Sequence, residues 1–237
     1  MIYKIGLKKK VKISISNTDM SMSGNMPEDS DISMNSSVPG MLPKNSSLSV
    51  LEALKSRFDD VFDIDSVFAY DFAEFFNFCR YLGYYGYSPK GFRGRLQSPA
   101  EFVEHHLGNC WDQTELQREW FALHHQKTQT FLLYYYVSDD FCPSHSILTY
   151  QKDGKWHWFE PMCYGKGEDY VGIHEYVNKN ALLSDFRAVF GRFGQQNGVI
   201  PEEIIDDKWS LYQYDRPKYG ISDEEFYRHC RTGRKIW

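Results

Sequence analysis

Cysteine, histidine and glutamate stand in an order along this chain that suits catalysis by a thiol. His145 follows Cys110 after 35 residues, and Glu160 follows after 15 more. A thiol attacks a carbonyl carbon once an imidazole takes its proton, and a carboxylate behind the imidazole holds the ring in the required tautomer. These residues can perform that chemistry only if the fold brings them together, and the sequence around each one indicates how.

The local sequence places Cys110 at the start of a helix. A Ser-Pro-Ala-Glu capping box at residues 98–101 predicts a short helix, and Gly108-Asn109 predicts its end with a left-handed cap. A buried helix is then predicted over residues 111–126 from apolar residues spaced by four and three: Leu116, Trp120 and Leu123. Asp112 is expected to brace this helix start. Backbone N–H groups at such a start stabilise a thiolate.

An apolar hairpin carries the histidine and the glutamate. Two β-prone runs, residues 145–151 and 156–160, flank residues 152–155, whose Asp-Gly pair favours a tight turn. When this hairpin folds back on itself, the first residue of one strand comes level with the last residue of the other. Residues 130–137 predict a further strand.

The remaining periodic segments complete an α+β chain. Ser-x-x-Glu capping boxes at residues 49–52 and 222–225 predict helix starts, and apolar spacing predicts helices over residues 67–82 and 181–193. Residues 209–214 suit a late strand. Helices followed by antiparallel hairpins indicate an α+β fold, with the helix of Cys110 packed on one face of the sheet.

The composition divides the chain into a polar tail and an aromatic-rich domain. Of the 40 aromatic residues among 237, only Tyr3 precedes residue 49. Residues 1–47 lack hydrophobic periodicity, and such a segment buries too little apolar area to offset its ordering entropy. We therefore predict a disordered tail over residues 1–47 and one catalytic domain over residues 48–237.

Charge, hydropathy and cysteine content limit the partners and the compartment. The net charge of -5 gives no general attraction to nucleic acid or an anionic membrane, and no apolar run approaches the roughly 18 residues of a membrane-spanning helix. The first 16 residues lack the apolar stretch of a secretory signal. The five cysteines are widely spaced, which favours reduced thiols in the cytoplasm. We expect no cofactor and no metal.

The segment around Cys110 resembles the transglutaminase-like superfamily of papain-related cysteine enzymes. Residues 108–112, Gly-Asn-Cys-Trp-Asp, are similar to its Gly-x-Cys-x-Asp motif, and residues 156–161, Trp-His-Trp-Phe-Glu-Pro, to its strand end Trp-x-x-x-Asp. The resemblance spans residues 98–161 and departs from the family at Glu160, where aspartate is usual. It implies a papain/transglutaminase-like core in which the nucleophile-bearing helix packs on an antiparallel sheet.

The resemblance implies a catalytic triad: Cys110 as nucleophile, His145 as general base and acid, and Glu160 as orienting carboxylate. The implied enzyme attacks an amide of a peptide or protein, forms a thioester and hydrolyses it. A transglutaminase-type enzyme, which would cross-link proteins by transferring the acyl group to an amine or deamidate a side-chain amide with water as the acceptor, is the alternative outcome of the same triad. The oxyanion would need a second donor besides the Cys110 N–H, and Gln97 and Tyr85 are candidates.

Three other interpretations of the same residues stay open. The fold could serve as a non-catalytic protein-binding module, with the aromatic loop of residues 83–92 as its contact surface. His157 competes with His145 for the role of base, although it points to the opposite face from its two flanking tryptophans. Cys142, Cys163 and the two histidines could ligate zinc, although their spacing lacks the second pair of a structural zinc site. The oligomeric state is not predicted.

Overall fold

The computed structural model describes residues 48–139, 141–161 and 170–237, and the predicted tail of residues 1–47 lies outside them. Its helices are α1 Leu48–Phe58, α2 Ile64–Phe68, α3 Phe72–Tyr85, α4 Pro99–His105, α5 Cys110–Leu123, α6 Lys179–Gln196 and α7 Asp223–Thr232. Its strands are β1 Thr128–Tyr135, β2 Ser144–Lys152, β3 Lys155–Glu160, β4 Gly172–Tyr176, β5 Trp209–Tyr214 and β6 Arg234–Lys235.

These strands form one antiparallel sheet in the order β4-β3-β2-β1-β5-β6. Alternate residues of a strand point to opposite faces, and different helices cover the two faces. Leu148 of β2 belongs to a buried cluster with Trp120 of α5, whereas its neighbour Ile147 belongs to a cluster with Phe186 of α6. The predicted α+β class is therefore confirmed, with α5 and α6 on opposite sides of the sheet.

The predicted hairpin that carries the histidine and the glutamate is present. Lys152 pairs with Lys155, and Asp153 and Gly154 between them have φ angles of 52° and 76°. Positive φ at both central positions is the geometry of a type I′ turn, which matches the twist of the two strands. An Asp-Gly turn thus fixes the register of β2 against β3.

Aromatic side chains fill much of the core between the helices and the sheet. The rings of Phe75 on α3 and Trp120 on α5 stack with centroids 4.5 Å apart. The Phe159 ring of β3 packs in the same region, with its centroid 5.1 Å from that of Phe76 and 5.4 Å from that of Phe121. Aromatic burial of this kind contributes strongly to stability, and it accounts for part of the aromatic excess.

Several local features differ from the sequence predictions. For example, α1 begins at Leu48, before the capping box predicted at residues 49–52. The segment predicted as one helix over residues 67–82 forms two helices, because the Asp71 carboxylate accepts the backbone N–H of Glu74 at 2.8 Å and caps a new start. The left-handed residue before α5 is His106, with φ 52°, and not Gly108-Asn109. The sequence does not predict β4 or β6, since these short strands gain their order from pairing with β3 and β5.

Truncation of Phe159 is expected to destabilise the domain strongly. The Phe159 side chain is fully buried among other rings, so Phe159→Ala should lower the free energy of unfolding by about 4 kcal/mol. Urea denaturation followed by tryptophan fluorescence measures this loss. Phe62→Ala is the matched control, because Phe62 is 54% exposed and its removal should cost less than about 1 kcal/mol. Equal losses in the two variants would contradict the assigned core.

Candidate active site

Cys110 is the first residue of α5, as the sequence predicts, and a reciprocal cap holds this helix start. The Asn109 side chain accepts the backbone N–H of Trp111 at 2.8 Å, and the Asp112 carboxylate accepts the N–H of Asn109 at 2.9 Å. The other Asp112 oxygen accepts the backbone N–H of Gln97, also at 2.9 Å. Asp112 therefore braces the helix start, as predicted, and joins it to the segment before α4.

The first turn of α5 lies against an open edge of β2. The ladder between β2 and β3 covers only Leu148–Lys152 of β2, so residues 144–147 pair in the described sheet with β1 alone. The backbone N–H of Ser146 interacts with the Cys110 sulfur, and the Ser146 carbonyl lies 3.3 Å from the Thr114 hydroxyl. That hydroxyl also donates to the Cys110 carbonyl at 2.7 Å. The helix thus satisfies polar groups that the sheet leaves open.

His145 and Glu160 form a buried hydrogen-bonded pair. His145 Nε2 lies 2.7 Å from Glu160 Oε2, and both side chains are nearly inaccessible to solvent. The two residues are not level: continuing the β2–β3 register by one residue sets Glu160 opposite Ile147, so the pair is diagonal. The described structure gives His145 Nδ1 no hydrogen-bond partner. Since the carboxylate only accepts, the neutral ring carries its proton on Nε2 and leaves a lone pair on Nδ1.

The three residues lie near one corner of the sheet, but Cys110 and His145 are not hydrogen-bonded to each other. Cys110 approaches from the α5 side and contacts the amide of Ser146, the residue next to His145. The His145 ring lies against α6, with its centroid 5.9 Å from that of Phe186. Among the described residues no hydrogen bond joins the Cys110 sulfur to the His145 ring. Contacts of this kind tighten in many enzymes only when substrate binds.

Burial controls the protonation of Cys110. It raises the pKa of the Cys110 thiol to about 12, and the nearby carboxylates of Glu160 and Asp112 also raise it. The backbone N–H of Ser146 acts in the opposite direction and lowers it. Desolvation therefore outweighs the stabilisation that the sequence leads us to expect from a helix start, and Cys110 is a neutral thiol at neutral pH.

Of the two candidate oxyanion donors, Gln97 is buried and hydrogen-bonded, whereas Tyr85 is exposed. The Gln97 amide is buried, donates to the Leu107 carbonyl at 2.8 Å and contacts His105 Nδ1 through its oxygen at 2.9 Å. Tyr85 lies at the end of α3 with 40% of its surface exposed. Sequence reasoning missed Ser146 and Tyr87, whose proximity to Cys110 arises from backbone pairing between distant segments.

The residues that could have formed an alternative base or a zinc site lie away from Cys110 and Glu160 or outside the described residues. His157 is on the opposite face of β3 from Glu160, where it stacks on Tyr150 with centroids 4.9 Å apart. The Cys142 thiol donates to the Ser138 carbonyl at 3.5 Å. Cys163 lies outside the described residues. Within the described ranges no group of three or more histidine, cysteine, aspartate or glutamate side chains is arranged to hold a metal ion.

Asp112 should make the stability of the domain fall as the pH rises. Burial raises its pKa to about 7, so the native state binds a proton that the unfolded state, with a pKa of 3.8, has already lost. Its contribution is therefore complete below the unfolded pKa and is lost as the pH passes about 7. Between about pH 5 and about pH 7.5 we expect the titration of Asp112 to reduce the free energy of unfolding by about 2.5 kcal/mol.

Urea denaturation of the wild type and of Asp112→Asn at the two pH values tests this linkage, because the asparagine cannot titrate. Glu101→Gln is the matched control: Glu101 is also the acidic member of a capping box, but Arg95 lowers its pKa to about 2. Glu101 is ionised in both states throughout this window, so its replacement should leave the slope unchanged. An identical slope in the wild type and Asp112→Asn would contradict the assignment.

Comparisons with known proteins identify no relative of this chain. Models of protein families, curated proteins and solved structures all give no match to the chain. In the part of the chain that the structure describes, no helix combines the length and the apolar character needed to cross a membrane.

Proposed function

We propose that the protein is a transglutaminase-like cysteine hydrolase with a papain-like core and a triad of Cys110, His145 and Glu160. The observation that carries this proposal is the buried 2.7 Å contact between His145 Nε2 and Glu160 Oε2. It leaves Nδ1 as a proton acceptor, and the backbone N–H of the next residue, Ser146, contacts the Cys110 sulfur. The described cysteines are free thiols, which supports a cytoplasmic location as part of the proposal.

Acylation begins from the neutral thiol. As the Cys110 sulfur bonds to the carbonyl carbon of an amide, its proton passes to His145 Nδ1 and the carbonyl electrons move to the oxygen. Collapse of this tetrahedral intermediate breaks the carbon–nitrogen bond, and the leaving amine takes the proton from Nδ1. A thioester remains on Cys110. Glu160 holds the imidazole in position and stabilises the imidazolium that forms between the two transfers.

Deacylation repeats the sequence with water. Water gives a proton to Nδ1 as its oxygen bonds to the acyl carbon, and collapse releases the carboxylic acid and returns the proton to the sulfur. An amine in place of water would instead form a new amide, which is the acyl-transfer alternative. We propose peptide or protein amides as the substrates and hydrolysis as the outcome.

Three observations on Cys110 favour a second candidate function, a non-catalytic binding module. Cys110 is fully buried, its pKa is raised to about 12, and no hydrogen bond joins it to His145 within the described residues. In that case the thiol is a packing residue, and the buried His145–Glu160 pair stabilises the end of the β2–β3 hairpin. Reactivity of the thiol distinguishes the two functions.

Removal of Cys110 should abolish acyl-enzyme formation. With p-nitrophenyl acetate as an acylating probe, the wild type should gain one acetyl group in its intact mass and release nitrophenolate, whereas Cys110→Ala should do neither. Cys230→Ala is the matched control, since Cys230 is buried in the same cluster. Acetylation that persists in Cys110→Ala would contradict the proposal that the protein is an enzyme with Cys110 as its nucleophile.

Iodoacetamide labelling tests the same thiol without a substrate. At neutral pH, Cys110 should be alkylated faster than Cys79 or Cys230, because those two thiols lie outside the proposed triad and burial raises their pKa values well above the ordinary thiol value. Peptide mass spectrometry after short labelling times gives the three rates. Equal rates at all three cysteines would favour the binding module.

Glu160→Gln should slow acylation by about 10²- to 10⁴-fold, without unfolding the domain. The glutamine amide can donate to His145 Nε2, which moves the ring proton to Nδ1 and removes the acceptor that the thiol needs. The rate of nitrophenolate release and the thermal unfolding temperature provide the two readouts. His157→Ala is the control, because His157 faces the other side of β3, and its acylation rate should match the wild type.

A further inference from the structure

Four large apolar side chains lie exposed around the ends of α3 and α4. Phe62 lies between α1 and α2, Tyr84 and Tyr85 end α3, and Leu107 follows His106 after α4. Each of the four has between 38% and 54% of its surface exposed. A single exposed apolar side chain is common, whereas a connected group of them indicates an interaction surface. We call these four residues the aromatic patch.

The His106 ring connects the members of the aromatic patch. It stacks on Phe62 with centroids 4.6 Å apart and meets the Tyr81 ring edge-on at 5.3 Å. The Tyr81 ring lies 5.5 Å from that of Tyr85, and the Tyr85 ring lies 5.4 Å from that of Tyr84. The exposed side chains therefore belong to one continuous surface.

Hydrogen bonds hold this surface in place before any partner binds. His106 Nε2 lies 2.5 Å from the Val61 carbonyl, which fastens the segment of Phe62 to the end of α4. The Tyr81 hydroxyl donates to Asp59 at 2.8 Å and lies 3.1 Å from His106 Nδ1. A partner that binds here meets a surface that is already built, so little ordering of the patch opposes binding.

Carboxylates lie around the aromatic patch. Glu52, Asp59 and Asp60 are exposed in α1 and the segment that follows it. Burial raises the pKa of Tyr85, and the negative charges of Glu52 and Asp59 raise it further, so these charges act on the patch. The Lys55 ammonium lies 5.6 Å from the centre of the Tyr85 ring, which shows that the ring can receive a cation. The patch therefore suits a partner that is both apolar and basic.

The first 15 residues of the chain have this composition. They contain five lysines, no acidic residue and six aliphatic side chains, which are Ile2, Ile5, Leu7, Val11, Ile13 and Ile15. The five lysines are among the 27 basic residues of the chain, and all 32 acidic residues lie in residues 16–237, whose net charge is therefore -10. Residues 1–15 are thus a basic segment of an otherwise acidic chain.

Residues 1–15 are also long enough in their connection to reach the patch. The 32 residues 16–47 span about 100 Å when fully extended, whereas α1, from Leu48 to the residue before Asp59, is only about 16 Å long. A covalent connection gives the segment a local concentration that a separate partner lacks. A segment with too little apolar area to fold alone can gain order on a surface of this kind.

We propose that residues 1–15 dock on the aromatic patch of the same chain. Their aliphatic side chains cover the exposed rings, and their lysines pair with the surrounding carboxylates. The docked segment then competes with any other protein for this surface. Docking is independent of the chemistry of Cys110, so it is tested separately from the proposed function.

Trypsin cleavage measures this docking in the full-length chain. Trypsin cuts after a lysine only where the backbone can enter its active site, so docking protects residues 8–12. Phe62→Ser combined with Tyr84→Ser should raise the initial rate of cleavage there about fivefold, because proteolysis follows the population of the undocked segment. Intact mass spectrometry after short exposure to trypsin gives the rate.

Leu123→Ser combined with Val177→Ser is the matched control. These two apolar residues are also exposed, but they lie at the end of α5 and after β4, and their replacement should leave the cleavage rate unchanged. A change of less than about twofold in the patch variant, or an equal rise in both variants, would overturn the proposal. Thermal unfolding checks that each variant is folded.

Photochemical cross-linking provides a second measurement with the patch unaltered. With Tyr3→p-benzoylphenylalanine in the full-length chain, irradiation should form cross-links within one chain to residues 55–62, 81–85 or 104–107. Cross-links to other regions alone would overturn the proposal. Cross-links that join two copies, identified by mixing nitrogen-15-labelled and unlabelled protein, would assign the patch to the segment of a second copy and overturn docking within one chain.

Discussion

The arrangement of the site depends on the contact between the first turn of α5 and the open edge of β2. Because the β2–β3 ladder ends at Leu148, the N–H and carbonyl of Ser146 have no strand partner on that side. The N–H contacts the Cys110 sulfur instead, and the carbonyl accepts the Thr114 hydroxyl. An unsatisfied buried group of this kind costs about 1–3 kcal/mol. The requirement to satisfy it therefore locks the helix that carries Cys110 to the strand that carries His145.

Two further contacts hold α5 along its length. Glu115 is fully buried and pairs with Arg118 at 2.9 Å, and Arg118 also donates to Thr130 of β1 at 2.7 Å. At the helix start, Asp112 ties α5 to the segment before α4. Buried charges of this kind demand a full set of partners, so they fix the position of the helix more than they add to stability. Cys110 thereby gains a defined position at the cost of a raised pKa.

The same packing gives the buried aromatic residues two separate tasks. The rings of Phe75, Trp120 and Phe159 fill the space between α3, α5 and the sheet, and they hold the hairpin that ends at Glu160. On the other face, Phe186 and its neighbour Phe190 contact the His145 ring. Apolar surroundings exclude water from the His145–Glu160 pair, which strengthens their hydrogen bond and keeps the Cys110 thiol neutral.

Local sequence determined the parts of this protein that depend on near neighbours. The start of α5 at Cys110, the brace by Asp112 and the Asp-Gly hairpin all follow from capping and turn chemistry within a few residues. Strand alternation likewise separated His157 from Glu160. The α+β class follows from the order of these elements.

Tertiary structure alone decided the rest, because it depends on pairing between distant segments. The diagonal offset of His145 and Glu160 comes from the register of two strands, and the contact between Cys110 and Ser146 comes from where β3 ends. Tyr87 reaches the cluster that contains Cys110 through a bridge to Gly108 that no local pattern indicates. Burial, which sets the pKa of Cys110, is likewise a property of the packed molecule and not of its sequence motif.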